Sequence, residues 1–151
     1  MKEIAVMKEA VVNVRKKKWI IGTYSQTVDG VWIHDGDYAV LSDDADPSEL
    51  GVSLMLALSR SVSGIPHPKS WDGHREPLLR AAGVRSWNTY VKGAKSISVR
   101  QDDKKIMLTP MANRGARGGF TFLLERTVEV AATAADAEIG AAILQALTYC
   151  E

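Results

Sequence analysis

The sequence predicts an α+β fold: an antiparallel-rich sheet with helices packed on it, built from two strand-strand-helix pseudo-repeats within one domain. Three observations carry this. The stretch DPSELGVSLMLALS at 46–59 returns as ADAEIGAAILQALT at 135–148, and an offset of 89 carries Glu49, Gly51, Ala57 and Leu58 onto Glu138, Gly140, Ala146 and Leu147. The likeness extends upstream, where Gly30-Val31-Trp32-Ile33 faces Gly119-Phe120-Thr121-Phe122, Val12 to Arg15 resembles Ile97 to Arg100, and Lys18 to Thr23 resembles Lys104 to Thr109. In both units strand-like residues precede a helix, the order expected of an antiparallel sheet with helices on one face. The units run from about 12 to 60 and 97 to 149, joined by a connector at 61–96, and units of about fifty residues are too small to stand comfortably alone, so residues 1–151 are expected to form one domain.

Residues 2–11 carry both helical and strand periods and leave both open. Residues 11–24 read as two short strands broken by the charge run Arg15 to Lys18, or as one long strand with a bulge, because Val12 and Val14 alternate with Asn13 and Arg15. Thr27-Val28-Asp29-Gly30 is a turn, with Asp-Gly suited to the positive φ angles of a tight hairpin. Val31 and Ile33 then share one face, with Trp32 and His34 on the other. Asp35-Gly36-Asp37 reads as a second turn, and Tyr38 to Leu41 as a short strand.

Asp46-Pro47-Ser48-Glu49 starts a helix, with the carboxylate as cap and proline at the first helical position. Leu50, Leu54 and Leu58 form its apolar stripe. Gly51 and Gly140 sit in the first turn of each long helix, where a glycine costs about 1 kcal/mol of helix propensity, so close helix-to-sheet packing is the expected reason. The second helix lacks the capping aspartate; Asp136 or Thr133 is the expected substitute.

In the connector, Gly64, Pro66 and Pro68 prevent the helix from continuing. Glu76 to Gly83 is a short helix with a glycine stop. Val84 to Val91 is a strand or an irregular packed segment. The second unit begins with strands at 97–100 and 105–108 around the turn Gln101-Asp102-Asp103. Residues 113–119 make a long flexible turn with Arg114 and Arg117. Phe120 to Val130 supplies strand residues, and the last helix follows.

Composition is that of an ordinary globular chain, 46% hydrophobic and 25% charged with net charge +1, which makes no whole-protein case for nucleic acid. Eleven Lys and Arg against four Asp and Glu make residues 61–118 basic, whereas Asp43, Asp44, Asp46 and Glu49 cluster with only Arg60 near them. The single cysteine, Cys150, fits a reducing compartment and lies in acidic surroundings that suit an inert thiol. The N-terminus carries Lys2, Glu3, Lys8 and Glu9 instead of a secretory core, and no apolar run approaches the ~20 residues of a membrane span. A complete cytoplasmic protein without membrane contact is expected.

Chemistry-bearing motifs are sparse. No phosphate loop, nucleophile elbow or dinucleotide fingerprint occurs. The loop His67-Pro68-Lys69-Ser70-Trp71-Asp72-Gly73-His74 holds two imidazoles and a carboxylate, the makings of a metal site or a small hydrolase centred on His67, Asp72 and His74, but its spacing matches no zinc pattern and no third strong ligand lies near. A connector-packing role is the simpler reading, and no catalytic residue, metal or cofactor is expected. Arg15 to Lys18, with Arg114 and Arg117, would serve a small nucleic-acid-binding module; a solvated edge that discourages strand aggregation explains the run more economically. The acids are more distinctive. Capping and dipole compensation account for Asp46 and Glu49, but not for Asp35, Asp37, Asp43 and Asp44, whose spacing suits one negative surface steering a basic partner.

At GVSLMLALSRS (51–61), with Leu50-Gly51, Ala57-Leu58-Ser59-Arg60 and then the Pro-x-Pro of Pro66 and Pro68, the sequence resembles the CdiI immunity proteins of bacterial contact-dependent growth inhibition systems. The resemblance covers most of the chain: strands, helix, connector, second strand set and closing helix. It implies a small non-enzymatic cytoplasmic protein that binds the C-terminal toxin domain of a secreted effector, often a nuclease, and blocks its active site. It carries over no contact residues, since the matching positions are scaffold. For such a partner, Asp35, Asp37, Asp43 and Asp44 are expected to meet the Lys and Arg that the toxin uses on nucleic acid, with Trp32 or Tyr38 as aromatic anchor. The basic connector is the competing surface, and a nucleic-acid-binding module is the alternative function.

Overall fold

A computed structural model describes residues 7–151. Strands β1 (Lys8–Arg15), β2 (Lys18–Thr27) and β3 (Trp32–Ser42) lead to helix α1 (Pro47–Ser59). The connector holds a short strand β4 (Ser63–Ile65) and helices α2 (Glu76–Ala82) and α3 (Trp87–Val91). Then come β5 (Lys95–Gln101), β6 (Lys105–Asn113), a single-turn helix α4 (Gly115–Gly118), β7 (Phe120–Phe122), β8 (Val128–Ala131) and α5 (Asp136–Thr148). The antiparallel sheet has the order β3-β2-β1-β5-β6, with β7 and β8 both paired to β6 and β4 added in parallel to the end of β2. This is the expected α+β architecture.

Of the ambiguous N-terminal stretch, residues 2–6 lie outside the described residues, and the chain is a strand from Lys8 onward. The run Arg15 to Lys18 separates two strands: Arg15 pairs with Lys18, and Lys16 and Lys17 form a two-residue turn at φ 44 and 64. The turn expected at Thr27 to Gly30 is also present, the Gly30 N–H donating to the Thr27 carbonyl at 2.9 Å. At the β2–β3 connection only Gly30 takes a positive φ, +87, within a longer loop closed by Thr27 N–H donating to the Val31 carbonyl at 2.8 Å.

The period of two sorts the sheet into two faces. Ala10, Val12, Trp19, Ile21, Ile97, Val99, Ile106 and Leu108 pack with Leu50, Leu54, Leu58, Ile139 and Ile143 of α1 and α5. Ile20, pointing the other way, packs with Ala82, Tyr90, Val91 and Ala94 of the connector. Helices thus cover both faces, where one face was expected: the unbroken run Trp19-Ile20-Ile21 gives β2 an apolar side in each direction, and the connector fills the second. Residues 84–91 supply α3, capped by the Ser86 hydroxyl on the Thr89 N–H at 3.2 Å, instead of a strand.

Asp46 caps α1 as expected, accepting the Glu49 N–H at 2.9 Å. Ala135 begins α5 with no side-chain cap, so neither Asp136 nor Thr133 takes that role. The helical glycines face a different neighbour from the one expected. A Cβ on Gly51 would stand 2.7 Å from the Asp136 carbonyl carbon, and one on Gly140 2.6 Å from the Pro47 Cα. The close approach is helix to helix, and reciprocal: Pro47 and Asp136 are separated by the same offset as Gly51 and Gly140.

Candidate functional site

The sheet ends on one side at β3, an edge strand with a bulge in its middle. Its register on β2 jumps from Ala39 opposite Ile21 to Asp35 opposite Thr23. The three residues between face Gly22 alone, and Gly36 takes φ +85 to make the bend. Asp35-Gly36-Asp37 is thus a bulge inside one long strand, not a turn between two, because the ladder resumes on the same partner. The bulge lays the Tyr38 ring over Gly22, where a Cβ would approach Tyr38 Cζ to 3.2 Å. His34 then stacks on Tyr38, ring centroids 4.0 Å apart and planes 4° from parallel.

Beside this strand the connector leaves a recess of about 560 Å³, walled by Trp32, His34 and Tyr38 on the sheet and by Trp71, Arg75 and Trp87 opposite. Both predicted aromatic anchors line it. Trp87 is fixed by its indole N–H donating to the Ala116 carbonyl at 3.1 Å and by stacking on Tyr90. The Arg75 guanidinium lies over the Trp87 ring, 4.0 Å from its centroid, a cation–π contact. Burial pulls the His34 pKa down against the opposing pull of Asp35 and Asp37, favouring the neutral ring. Burial likewise drives the Tyr38 and Tyr90 hydroxyls above their ordinary values, Tyr24 adding to both, so they stay protonated.

The four predicted acids stand in two groups. Asp35 accepts the Ser25 hydroxyl at 2.8 Å, and Asp37 is exposed on the bulge. Asp43 and Asp44 follow Ser42, which pairs with Lys18, and the Ser42 hydroxyl donates to the Asp44 carboxylate. At about 3.3 Å of rise per residue, five ladder steps along β2 put the groups roughly 17 Å apart. They occupy the same sheet edge rather than one compact cluster.

Other predicted groups fall elsewhere. Arg15, counted among the exposed basic residues, is 5% exposed; its guanidinium donates to the Tyr90 and Thr89 carbonyls at 3.0 Å each and ties the first hairpin to α3. Lys16 and Lys17 remain exposed at the hairpin tip. His67 and His74 turn their ring nitrogens to different partners: the His67 ring bonds to Thr27, and His74 to the Trp71 carbonyl. No cluster of potential metal ligands forms among the described residues. Trp71, Arg75 and Trp87 are the recess residues that sequence reading missed. Tryptophans spread through a connector without regular periodicity were the available signal.

Fold and recess together define a small α+β protein with an aromatic-lined hollow beside an open sheet edge. The chain belongs to the CDI immunity protein family, CdiI, whose model matches residues 8–150. Two solved structures share the fold. A protein of unknown function from Neisseria meningitidis superposes with a TM-score of 0.83 at 19% identity, covering 100% of this chain and 99% of that one. The CdiA-CT/CdiI toxin and immunity complex from Yersinia pseudotuberculosis gives a TM-score of 0.81 at 19% identity, covering 98% of this chain and 100% of that one. No curated protein matches the sequence. Among the described residues no helix is long and apolar enough to cross a membrane.

Proposed function

We propose that this chain neutralises the C-terminal toxin domain of a cognate contact-dependent growth inhibition effector by binding it directly and covering its working surface, in the cytoplasm and without turnover. Membership of the immunity family supports the partner, and the Yersinia neighbour was solved as a toxin and immunity complex. The observation in this chain that carries the reading is the juxtaposition on one sheet edge: β3 offers backbone groups with no neighbouring strand among the described residues, the acids Asp35, Asp37, Asp43 and Asp44, and the flanking recess with Trp32 and Tyr38. An edge strand binds through its free N–H and C=O groups, carboxylates steer a basic partner, and aromatics supply contact area at low entropy cost. A negative edge suits a toxin that holds nucleic acid with Lys and Arg, so the toxin is read as a nuclease. Burial of Arg15 weakens the alternative of a nucleic-acid-binding module, because that side chain is spent on α3.

Mixing the chain with the toxin domain encoded beside it is expected to give a one-to-one complex on size-exclusion chromatography; separate elution would contradict the proposal. Asp37 and Asp43 are exposed, so the double reversal Asp37→Lys/Asp43→Lys is expected to slow association at least about tenfold at low salt, with no change in melting temperature. An unchanged rate would place the interface off this edge.

A further inference from the structure

The connector motif with two histidines and an aspartate has no role in that reading, yet its hydrogen bonds are specific. Both histidines hold one side chain. Thr27 Oγ1 accepts the backbone N–H groups of Asp29 and Val31 at 3.2 Å each, which leaves its own proton for His67 Nδ1, also at 3.2 Å. The Asp29 carboxylate stands 3.5 Å from the same nitrogen. At the other end His74 Nδ1 donates to the Trp71 carbonyl at 2.6 Å, and the Asp72 N–H donates to Ser70 Oγ at 3.1 Å. The Glu76 N–H reaches the Gly73 carbonyl at 3.1 Å, joining the segment to α2. Between these anchors the His67 and His74 rings meet the Trp71 ring edge to face, at centroid distances of 5.7 and 5.8 Å.

Residues 66–75 are therefore a strap, tied at both ends, that holds one indole at the recess. Trp19 is buried and Trp32 and Trp87 are half-buried, but Trp71 is 45% exposed. Core packing does not explain so many fixed contacts around a side chain left in water, whereas a preorganised anchor does: the entropy of ordering it is lost on folding, not on binding. The charges nearby name the occupant. Asp72, exposed on the strap, is the acid of the lining; the cation of the lining, Arg75, is already placed on Trp87, and Lys69, the strap's other cation, is exposed outside the lining.

Resting on the toxin-binding reading above, we propose that Trp71 is an anchor of the interface, held in place by His67 and His74 as positioning residues. It receives a basic segment of the toxin, whose Lys or Arg side chain stacks on the indole beside Asp72.

The test uses the full chain and the toxin domain encoded beside it, with affinity and rates read by surface plasmon resonance. Trp71→Ala is expected to weaken binding at least about 30-fold, mainly through faster dissociation, with an unchanged melting temperature. His67→Ala is expected to weaken it by a smaller factor, and His67→Asn to restore it, since the amide can meet Thr27 where Nδ1 does. Asp72→Lys, which alters no packed group, is expected to slow association in a salt-dependent manner. Trp71→Ala binding within twofold of wild type would overturn the anchor while leaving the immunity function intact. A His67→Asn variant as weak as His67→Ala would overturn the positioning role, and Asp72→Lys with unaltered association would overturn the basic occupant. Absence of any complex with the wild-type chain would remove the toxin-binding reading itself, and this proposal with it.

Discussion

Two lysines carry the tightest turn of the sheet. Lys16 and Lys17 both take positive φ, a conformation that side chains bearing a Cβ adopt at a cost and that Asn-Gly adopts readily. Replacing the pair by Asn-Gly is expected to raise unfolding free energy by about 1 kcal/mol in urea denaturation, through relief of this strain. His34 makes a pH prediction. Burial sets its folded pKa below the unfolded value of 6.5, so the unfolded chain takes up a proton first. The stability gained by burying a neutral ring is present above that value and is lost as pH falls toward the folded one. Glu9 runs the opposite way: burial raises its folded pKa above 4.5, with Arg100 opposing, and stability recovers as pH falls toward and through that higher value. The urea midpoint is expected to drop between about pH 7.5 and pH 6, and His34→Phe, which keeps a ring on Tyr38, is expected to flatten that drop.

At the scale of elements, the contact between α1 and α5 depends on two absent side chains. Alanine at Gly51 or Gly140 would gain about 1 kcal/mol of helix propensity but drive a methyl group into the backbone of the other helix, where no flexible side chain can move aside. Each Gly→Ala variant is expected to lose a net of about 2 kcal/mol in calorimetry and denaturant titration, and a gain would show that the helices separate freely. These glycines were legible in the sequence as a close-approach signal, but the surface approached was not, because a helix carries its small residue equally well against a sheet or another helix. The cap of α1 was legible for the opposite reason: a carboxylate three residues before Glu49 satisfies a local N–H whatever surrounds it. The β3 bulge was read as a turn because Asp-Gly-Asp supplies turn chemistry; only Gly22, thirteen or more residues earlier, reveals that one strand continues past it.

For the molecule as a whole, architecture was more readable than site. The apolar stripes of Leu50, Leu54 and Leu58 and of Ile139 and Ile143 repeat at helical spacing, and they specified a layer of helices on a sheet. The recess depends on residues from β2, β3, the strap, α2 and α3 meeting in space, and no local pattern announces that meeting. Trp32 and Tyr38 were singled out because they flank the acids in sequence; Trp71 and Trp87 were not, since the recess they share with β3 joins segments far apart in the chain. The acids were proposed as one negative surface, and their division along the edge follows from the register of β3 on β2. Direct, stoichiometric neutralisation is tested most simply by titrating this chain into an activity assay of the adjacent toxin domain. A linear fall in toxin activity to a sharp endpoint at one equivalent is expected, with nucleic acid as the substrate spared. Full toxin activity beyond several equivalents of folded chain would contradict it.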